Sequence, residues 1–370
     1  MKKRSSVARA ACMMMALMMA MVAFAGCSGG SSSSQAVSQS STPSDADIQA
    51  PADSAADKLK VGLTTFTLEV TWQSQNIGNL QAYAQETYAD KLTLDVFNAN
   101  NKVADQVTHI ENMINDGYDI ILIDATNPTG LNASLKKARD AGIVVVNYNS
   151  EVEDEQAYDT KFYADNVEWG ASLAESLCKA LDGKGKIVCM NGFSGVKLSS
   201  DRWDGAQSVF EKYPDIEVLA VDNAEWAQAP AEALMTSWIT AFPQIDGVWS
   251  QGGASTLGAM NVLLNNDMPL IPMTGEDFNG FLKVWNEHLD VPGFSTFATG
   301  VDTRLACLAL EAALRIKEGV QLQKSYKLDL PTITNDNLGD FVKMDKPDDY
   351  WTMNILSCND IETIWPNMPK

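Results

Sequence analysis

The chain has 370 residues, a hydrophobic content of 45% and a formal net charge of −21. This length predicts two domains once any leader is removed, and the hydrophobic content is ordinary for a globular protein with a sizeable core. A surface this acidic repels nucleic acid and anionic lipid headgroups, so the composition argues against a nucleic-acid-binding protein.

The N-terminus has the pattern of an export signal. Four Lys and Arg residues within positions 2–9 precede an apolar stretch at 10–25, which ends in the sequence AFAGC at Cys27. This resembles a bacterial lipoprotein signal, in which the cysteine is acylated and becomes the mature N-terminus. We expect a signal peptide over 1–26 and lipidation of Cys27. The protein would be exported to the cell envelope and lipid-anchored to the outer face of the cytoplasmic membrane, or on the periplasmic side. A plain signal peptide or a single membrane anchor is the alternative, although the apolar stretch is short for a span of about 20 residues.

Residues 27–57 are rich in Ser, Gln, Ala, Asp and Pro and have few large apolar side chains. Such a segment buries too little surface to fold, so we expect a flexible tether.

Cysteine and histidine usage argues against a metal site. The chain has no CxxC motif and only two histidines, so we expect no zinc and no other cofactor. An exported protein can form disulfides, but in a chain of this length we expect buried free thiols instead. The sequence does not pair the four cysteines beyond Cys27, which are Cys178, Cys189, Cys307 and Cys358.

The first strands and helices are best seen in residues 102–150. A helix with one apolar face ends near Gly117, and an unbroken apolar strand follows at 120–123. A strand without polar alternation is buried on both faces, which is typical of a parallel sheet covered by helices on both sides. Ligands of such sheets bind at the carboxyl ends of the strands. Asp124 and Asn149, polar residues that follow two consecutive strands, are therefore candidates for a site.

The same alternation of strand and helix covers two successive runs of the chain. The predicted strands of the first run are 59–63, 92–97, 120–123, 143–146 and 161–164, and those of the second are 186–190, 216–221, 248–250, 270–273 and 294–298. We expect a helix over 226–241 in the second run. The pattern predicts an α/β protein with two doubly wound parallel-sheet lobes and a cleft between them.

The chain from about 58 to 320 resembles the type I periplasmic binding proteins of the ribose, galactose and xylose group, the solute receptors of ABC importers. The motifs that carry this resemblance are DQ at 105–106, IENMINDG at 110–117, DIILI at 119–123, AGIVVV at 141–146, ADNV at 164–167, GKGKIV at 183–188, YPDI at 213–216, FPQIDGV at 242–248 and GED at 275–277.

The resemblance implies a fold and a function. Three chain crossings would form the hinge. They would leave an N-terminal lobe of 58–164 plus 299–325 and a C-terminal lobe of 165–298, and residues 326–370 would return across the hinge as a tail. The protein would act as a monomer that captures a sugar or sugar-like solute by hinge closure and delivers it to a membrane permease.

A sugar needs flat aromatic walls for its C–H faces and fixed polar groups for its hydroxyl rim. The resemblance implies that Phe66, Trp72 and Trp226 supply the walls and that Asp277 accepts from two hydroxyls. For Trp226 the alternative is core packing, and for Asp277 it is capping of a helix. Further family positions fall on Asn149, Ser200 and Thr299, and Gln251 lies beside a family asparagine position that is Gly252 here.

The sequence departs from the family at several of these positions. Asn149-Ser150 and Gly252-Gly253 replace an Asp-Arg and an Asn-Asp pair, and Ser200 replaces an arginine. Two cationic positions are thus lost, and the pocket is expected to be wider at the glycines. Glu69, Lys197 and Arg202 are candidates to compensate, or else are solvated charges or helix-end pairs. These departures indicate a ligand other than ribose.

Three other functions occur on α/β folds of this kind. A receptor for signalling or chemotaxis has the same fold, and the sequence does not separate it from an import receptor. Against an exported α/β enzyme, the sequence has no GxSxG, GxxxxGK[ST] or HExxH motif and no histidine near a candidate nucleophile. A sugar-responsive repressor also shares the fold, but the leader and the acidic surface argue against DNA binding.

Overall fold

The computed structural model describes residues 58–354. The predicted signal peptide, the lipidation site Cys27, the tether and Cys358 lie outside these residues. The described strands are β1 (Leu59–Thr65), β2 (Leu92–Asn98), β3 (Ile120–Ile123), β4 (Val144–Tyr148), β5 (Thr160–Tyr163), β6 (Lys184–Asn191), β7 (Asp215–Asn223), β8 (Gly247–Ser250), β9 (Met273–Gly275), β10 (Thr296–Thr299), β11 (Ser325–Lys327) and β12 (Thr332–Ile333). The described α-helices are α1 (Thr71–Tyr88), α2 (Val103–Asn115), α3 (Asn132–Asp140), α4 (Asn166–Ala180), α5 (Lys197–Phe210), α6 (Gln228–Ala241), α7 (Gly253–Asn265), α8 (Asn279–Glu287), α9 (Leu305–Lys317) and α10 (Leu338–Phe341).

These strands form two six-stranded sheets with the same internal order. The first sheet is β11-β5-β4-β3-β1-β2, and its strand pairs are all parallel. The second sheet is β12-β10-β9-β8-β6-β7, and only the β10–β12 pair is antiparallel. The first five strands of each lobe thus have the order 2-1-3-4-5 of a doubly wound sheet. The prediction of two doubly wound α/β lobes is confirmed.

Both faces of each sheet are buried, as the apolar strand β3 predicts. Ile120 and Leu122 pack into a core with α1 and α9, whereas Ile121 and Ile123 pack into a core with α2 and α3. All four side chains are fully buried, and each such burial contributes about 1.5–3 kcal/mol. In the second lobe α4 and α5 cover one face, and α6, α7 and α8 cover the other.

The chain passes between the sheets three times, after β5, after β10 and after β11. After the second passage α9 packs on β4 of the first lobe. After the third, β12 pairs with β10, and α10 packs against α8 of the second lobe. The three-crossing hinge that the resemblance implies is confirmed.

The segment after α10 runs along α8 and reaches the cleft. The Asn279 side-chain amide donates to the carbonyls of Lys343 at 2.8 Å and Pro347 at 2.9 Å, which fixes the segment to α8. Trp351 then contacts both lobes. Its indole N–H donates to Thr71 Oγ1 at 2.9 Å, and its ring meets Phe278 with centroids 5.5 Å apart.

Cys178 and Cys189 carry free thiols in the core under α4 and α5, and Cys307 is buried in the core of the first lobe. None of the helices within 58–354 is both long enough and apolar enough to cross a membrane.

Candidate functional site

A pocket lies between the two lobes. Its empty volume is about 470 Å³ with the open mouth included. This is room for several water-sized groups, so the pocket suits a small molecule and not a polymer. The lining residues are Phe66, Val70, Trp72, Gln73, Asn149, Leu198, Arg202, Trp226, Glu276, Val301 and Trp351.

The lining comes from both sheets at the carboxyl ends of their strands. Phe66 directly follows β1 and Asn149 directly follows β4 in the first lobe, while Glu276 directly follows β9 in the second. This is the position at which doubly wound sheets bind ligands, because loops there diverge and leave a crevice. The two crevices face each other, so one small molecule can touch both lobes.

Aromatic side chains form much of the wall. Phe66 of the first lobe and Trp226 of the second belong to one apolar cluster, with ring centroids 6.5 Å apart and planes at 64°. Phe193 meets Trp226 edge-on at 5.7 Å. Trp72 is oriented by its indole N–H, which donates to the carbonyl of Val301 at 3.0 Å. These rings offer flat surfaces to an apolar face of a ligand.

Trp226 lies in a turn and not in a helix. Glu225 and Trp226 have φ values of 55° and 52°, in the left-handed region, and α6 starts only at Gln228. The prediction of a helix from 226 is therefore wrong, because two left-handed residues reverse the chain between β7 and α6. The indole N–H of Trp226 is buried and has no hydrogen-bond partner among residues 58–354.

A buried carboxylate positions two polar residues of the lining. Asp124, at the end of β3, accepts from the Gln73 amide and from Asn149 Nδ2 at 3.3 Å. Thr65 Oγ1 at 3.2 Å and the backbone N–H of Ser150 at 3.0 Å complete its shell. Burial raises the pKa of Asp124 to about 7, and these hydrogen bonds act against the rise. The network orients Gln73 and Asn149 in the pocket wall.

A buried ion pair forms the polar wall of the second lobe. Arg202 Nη1 donates to Glu276 Oε1 at 2.8 Å and to the Gln251 carbonyl at 3.1 Å. Its Nε donates to Asn166 Oδ1 at 3.1 Å, and the guanidinium lies 3.8 Å from the ring centroid of Trp169. Burial raises the pKa of Glu276, and the charge of Arg202 opposes that rise. The pair can remain buried because both partners are hydrogen-bonded.

Five of the ten predicted ligand-binding residues line the pocket together, and five do not. The lining includes Phe66, Trp72, Asn149, Arg202 and Trp226. The predicted residues outside this lining are Glu69, Ser200, Gln251, Asp277 and Thr299.

Two of these five are exposed. Glu69 has its side chain in solvent in the loop before α1, and Ser200 on α5 donates to the carbonyl of Lys197 at 2.9 Å. Lys197, a further candidate, pairs with Asp201 at 2.7 Å one helical turn away, which is the helix-end pair given as its alternative.

The other three are fully buried. Thr299 Oγ1 donates to the carbonyl of Pro331 at 2.7 Å, across the β10–β12 pair. Gln251 Nε2 donates to Asn191 Oδ1 and to the carbonyl of Ser199, both at 2.9 Å. Both side-chain amide protons of Gln251 are thus engaged within the second lobe.

Asp277 lies at the hinge. Its Oδ2 accepts from the backbone N–H of Met353, and its Oδ1 is buried without a hydrogen-bond partner in the described part of the chain. Burial raises the pKa of Asp277 to about 8, with the neighbouring Glu276 adding to the rise and the Met353 N–H opposing it. Its position behind β9 also places it directly beside the lining residue Glu276.

Some lining residues escape sequence analysis. Glu276 directly precedes the predicted site residue Asp277 at the end of a predicted strand, and this position could have identified it as a lining residue. Gln73 lies next to the predicted site residue Trp72, which is a weaker indication of a lining position. Nothing in the sequence indicates Trp351, because it reaches the pocket from a tail that has no periodic pattern of apolar residues. Within residues 58–354 no group of three or more His, Cys, Asp or Glu side chains is arranged to hold a metal ion.

Comparison with known sequences gives consistent matches. A family model described as "Periplasmic binding protein domain" matches residues 61–288. The xylitol-binding protein of Mycolicibacterium smegmatis is 29% identical over 293 residues, which cover 77% of this chain and 80% of that protein. The ribose import binding protein of Escherichia coli is 23% identical over 247 residues, which cover 66% of this chain and 82% of that protein.

Solved structures show the same fold. An ABC transporter solute binding protein from Thermobispora bispora has a TM-score of 0.73 at 21% identity, covering 83% of this chain and 94% of that one. A galactofuranose binding protein has a TM-score of 0.68 at 20% identity, covering 76% of this chain and 96% of that one. Similarity at this level of identity establishes the fold and leaves the ligand open.

Proposed function

The chain belongs to the periplasmic binding protein family, as its motifs predict, and from this premise we propose that it is the solute receptor of an ABC-type importer. It binds a sugar or polyol in the pocket between its lobes, closes around it and delivers it to a permease. It works as a monomer, performs no chemistry on the ligand, and is exported and anchored to the cell envelope through lipid on Cys27.

The observation that carries this proposal is the composition of the pocket wall. Phe66, Trp72 and Trp226 offer aromatic surfaces for the C–H faces of a ring, while Asn149, Arg202 and Glu276 offer polar groups for its hydroxyls. A micromolar complex needs about −8 kcal/mol. A few fixed hydrogen bonds together with aromatic burial are enough to supply that. The names of the relatives, which bind xylitol and ribose, support the same ligand class.

Lobe closure follows from the two-sided lining. A ligand that touches Phe66 and Asn149 in the first lobe and Trp226 and Arg202 in the second makes all of these contacts only when the lobes are together. Such contacts stabilise the closed form over the open one. We assign residues 58–164 with 299–325 to one moving body and residues 165–298 to the other. Residues 326–370 serve as the return across the hinge.

A thermal-shift screen tests the function. The mature protein is heated with pentoses, hexoses, furanose sugars, pentitols and inositols. A ligand at 100 times its dissociation constant stabilises by about 2.7 kcal/mol, which raises the melting temperature measurably. The active compound should also lower the radius of gyration in solution scattering. A protein that no sugar or polyol stabilises, or one that converts the active compound into a product, contradicts the proposal.

Fractionation of cells tests the lipid anchor. The full chain should be recovered with membranes after metabolic labelling with a fatty acid. Cys27→Ser should lose the label and the membrane association, whereas Cys12→Ser, within the leader, should retain both. Equal labelling of the two variants contradicts lipidation at Cys27.

A further inference from the structure

We propose that Trp351, a residue of the tail, binds the ligand and sets the size limit of the pocket at the end nearest the hinge. The inference rests on the proposed function and names a specificity-determining residue for the same pocket. Trp351 lies beyond residues 61–288, which match the family model.

Trp351 lies at the hinge end of the pocket, together with Val301. Both residues line the pocket, and Val301 follows β10, where the chain passes between the lobes for the second time. The backbone N–H of Thr303 donates to the carbonyl of Met353 at 3.0 Å, which holds the tail against this crossing segment. Trp72 lines the same region, since its indole N–H donates to the carbonyl of Val301 at 3.0 Å. A ligand that extends towards the hinge therefore meets the indole of Trp351.

Two side chains of α1 fix Trp351 to the first lobe. The side-chain amide of Gln75 donates to the carbonyl of Trp351 and accepts from its backbone N–H, both at 2.9 Å. Thr71 Oγ1 accepts from the indole N–H at 2.9 Å. The indole N–H is the one polar group of a tryptophan side chain, and here it is already bound. The ring therefore offers carbon surface to a ligand and acts as an apolar wall.

Backbone pairing fixes the same residue to the second lobe. Trp351 forms an antiparallel bridge with Phe278, and the two rings meet with centroids 5.5 Å apart. On one side of the bridge, the N–H of Thr352 donates to the carbonyl of Asp277 at 3.1 Å. On the other side, the carbonyl of Tyr350 accepts from the first residue of α8 at 2.8 Å. The chain is thus held to the second lobe immediately before and after Trp351.

An indole held from both lobes does not move aside for a larger ligand. A shift of the ring would break its hydrogen bonds to Gln75 and Thr71 and disturb its packing on Phe278. Trp351 is also buried, and close-packed interiors resist such displacement. An extra group on the ligand that points towards the hinge is therefore excluded. Removal of the indole would leave space that such a group can fill.

Ligands enlarged at single positions test the inference. The probes are D-ribose, D-galactose, xylitol and myo-inositol, and calorimetry is used on the tightest binder and on each of its mono-O-methyl ethers. In Trp351→Ala we expect the parent compound to bind about 10- to 100-fold more weakly, because an aromatic wall is lost. At least one ether should gain at least about tenfold relative to the parent compound, because its methyl group enters the space of the indole.

Trp203→Ala is the matched control for the loss of a tryptophan. Trp203 lies on α5 outside the pocket lining and packs against Trp249. Its truncation should lower the melting temperature and leave every ether-to-parent affinity ratio as in the wild type. A general loss of packing does not select one ether, so these ratios separate a wall of the pocket from a structural tryptophan.

A second variant leaves the tryptophan in place. Thr71→Val keeps the shape of the side chain but removes the acceptor of the indole N–H. It should weaken binding of the parent compound about 2- to 10-fold and raise the affinity ratio for the same ether that gains in Trp351→Ala. Thr87→Val, at an exposed position of the same helix, should bind every compound like the wild type.

The outcomes are distinct. A Trp351→Ala protein that binds the parent compound as tightly as the wild type overturns the inference, and so does one that weakens the parent and all ethers equally. If Trp351→Ala does not melt cooperatively, the same two readings are taken from Thr71→Val. Failure of the wild type to bind any of the four probes removes the proposed function and this inference with it.

Discussion

Gly192 and Trp226 are so close that a Cβ built on Gly192 would lie 2.1 Å from the indole ring. A Cβ on Gly252 would lie 2.9 Å from Cδ1 of the same indole, and one on Gly253 would lie 2.5 Å from Cβ of Phe278. The space at Gly252 is therefore filled by the indole of Trp226, and that at Gly253 by Cβ of Phe278 and the carbonyl of Glu276. The prediction of a wider pocket at these glycines is wrong, because the missing side chains make room for Trp226 and Phe278.

Gly192→Ala should weaken ligand binding by displacing Trp226. The added methyl group cannot fit against the indole, and overpacking of this kind costs about 1–3 kcal/mol. Calorimetry with the ligand found by thermal shift measures the loss of affinity, and the melting temperature reports folding. Gly78→Ala is the matched control, since a Cβ there has nothing within 4 Å. It should bind like wild type and gain about 0.5–1 kcal/mol in stability within α1. Wild-type affinity in Gly192→Ala would show that the position of Trp226 is unimportant.

Trp226→Ala should reduce ligand affinity by about 2 kcal/mol or more, roughly 30-fold, because an aromatic wall of the pocket is lost. Trp203→Ala on α5 is the comparison. Trp203 packs against Trp249 at 5.7 Å in a core away from the pocket lining. Its loss should lower the melting temperature without changing affinity. If the two variants bind equally well, Trp226 makes no direct contact with the ligand.

Arg202 and Glu276 should be strongly coupled in stability. Arg202→Met leaves Glu276 buried without its partner, and breaking a buried pair costs about 3–5 kcal/mol. Adding Glu276→Leu removes the stranded carboxylate and should recover much of that loss. Urea unfolding of wild type, both single variants and the double variant gives the coupling energy. Additive effects would mean that the 2.8 Å contact contributes nothing in solution.

The free energy of unfolding should fall as pH rises, in part because of Asp277. Its pKa is raised from 3.8 to about 8 by burial, so the folded state holds the proton more tightly than the unfolded state. The stabilisation is complete below about pH 4 and is lost as pH rises through about 8. Asp277→Asn removes this contribution and should flatten the pH profile of unfolding measured in urea. Asp336→Asn, at an exposed position, should keep the wild-type profile. A profile in Asp277→Asn as steep as that of wild type would contradict the assignment.

The fold was predictable because its signals are local. The four apolar residues of β3 are enough to predict burial on both faces, and Gly117 and Gly142 take the left-handed conformation expected at helix ends. Helix starts were harder to predict. The helix before Pro243 begins two residues later than expected, because Glu225 and Trp226 take left-handed backbone conformations. Glu and Trp have no intrinsic preference for this conformation, so the sequence did not indicate it.

By itself the sequence determined the alternation of strand and helix, the two lobes and the strand ends at which a ligand would bind, because these follow from periodicity and chain order. Only the tertiary structure decided which polar groups are buried and which hydrogen-bond or ion-pair partners they have. Arg202 and Glu276 are 74 positions apart, and Trp351 and Thr71 are 280 apart. Whether a side chain is paired or solvated depends on neighbours brought from such distances, since water is excluded only when the lobes and the tail pack together.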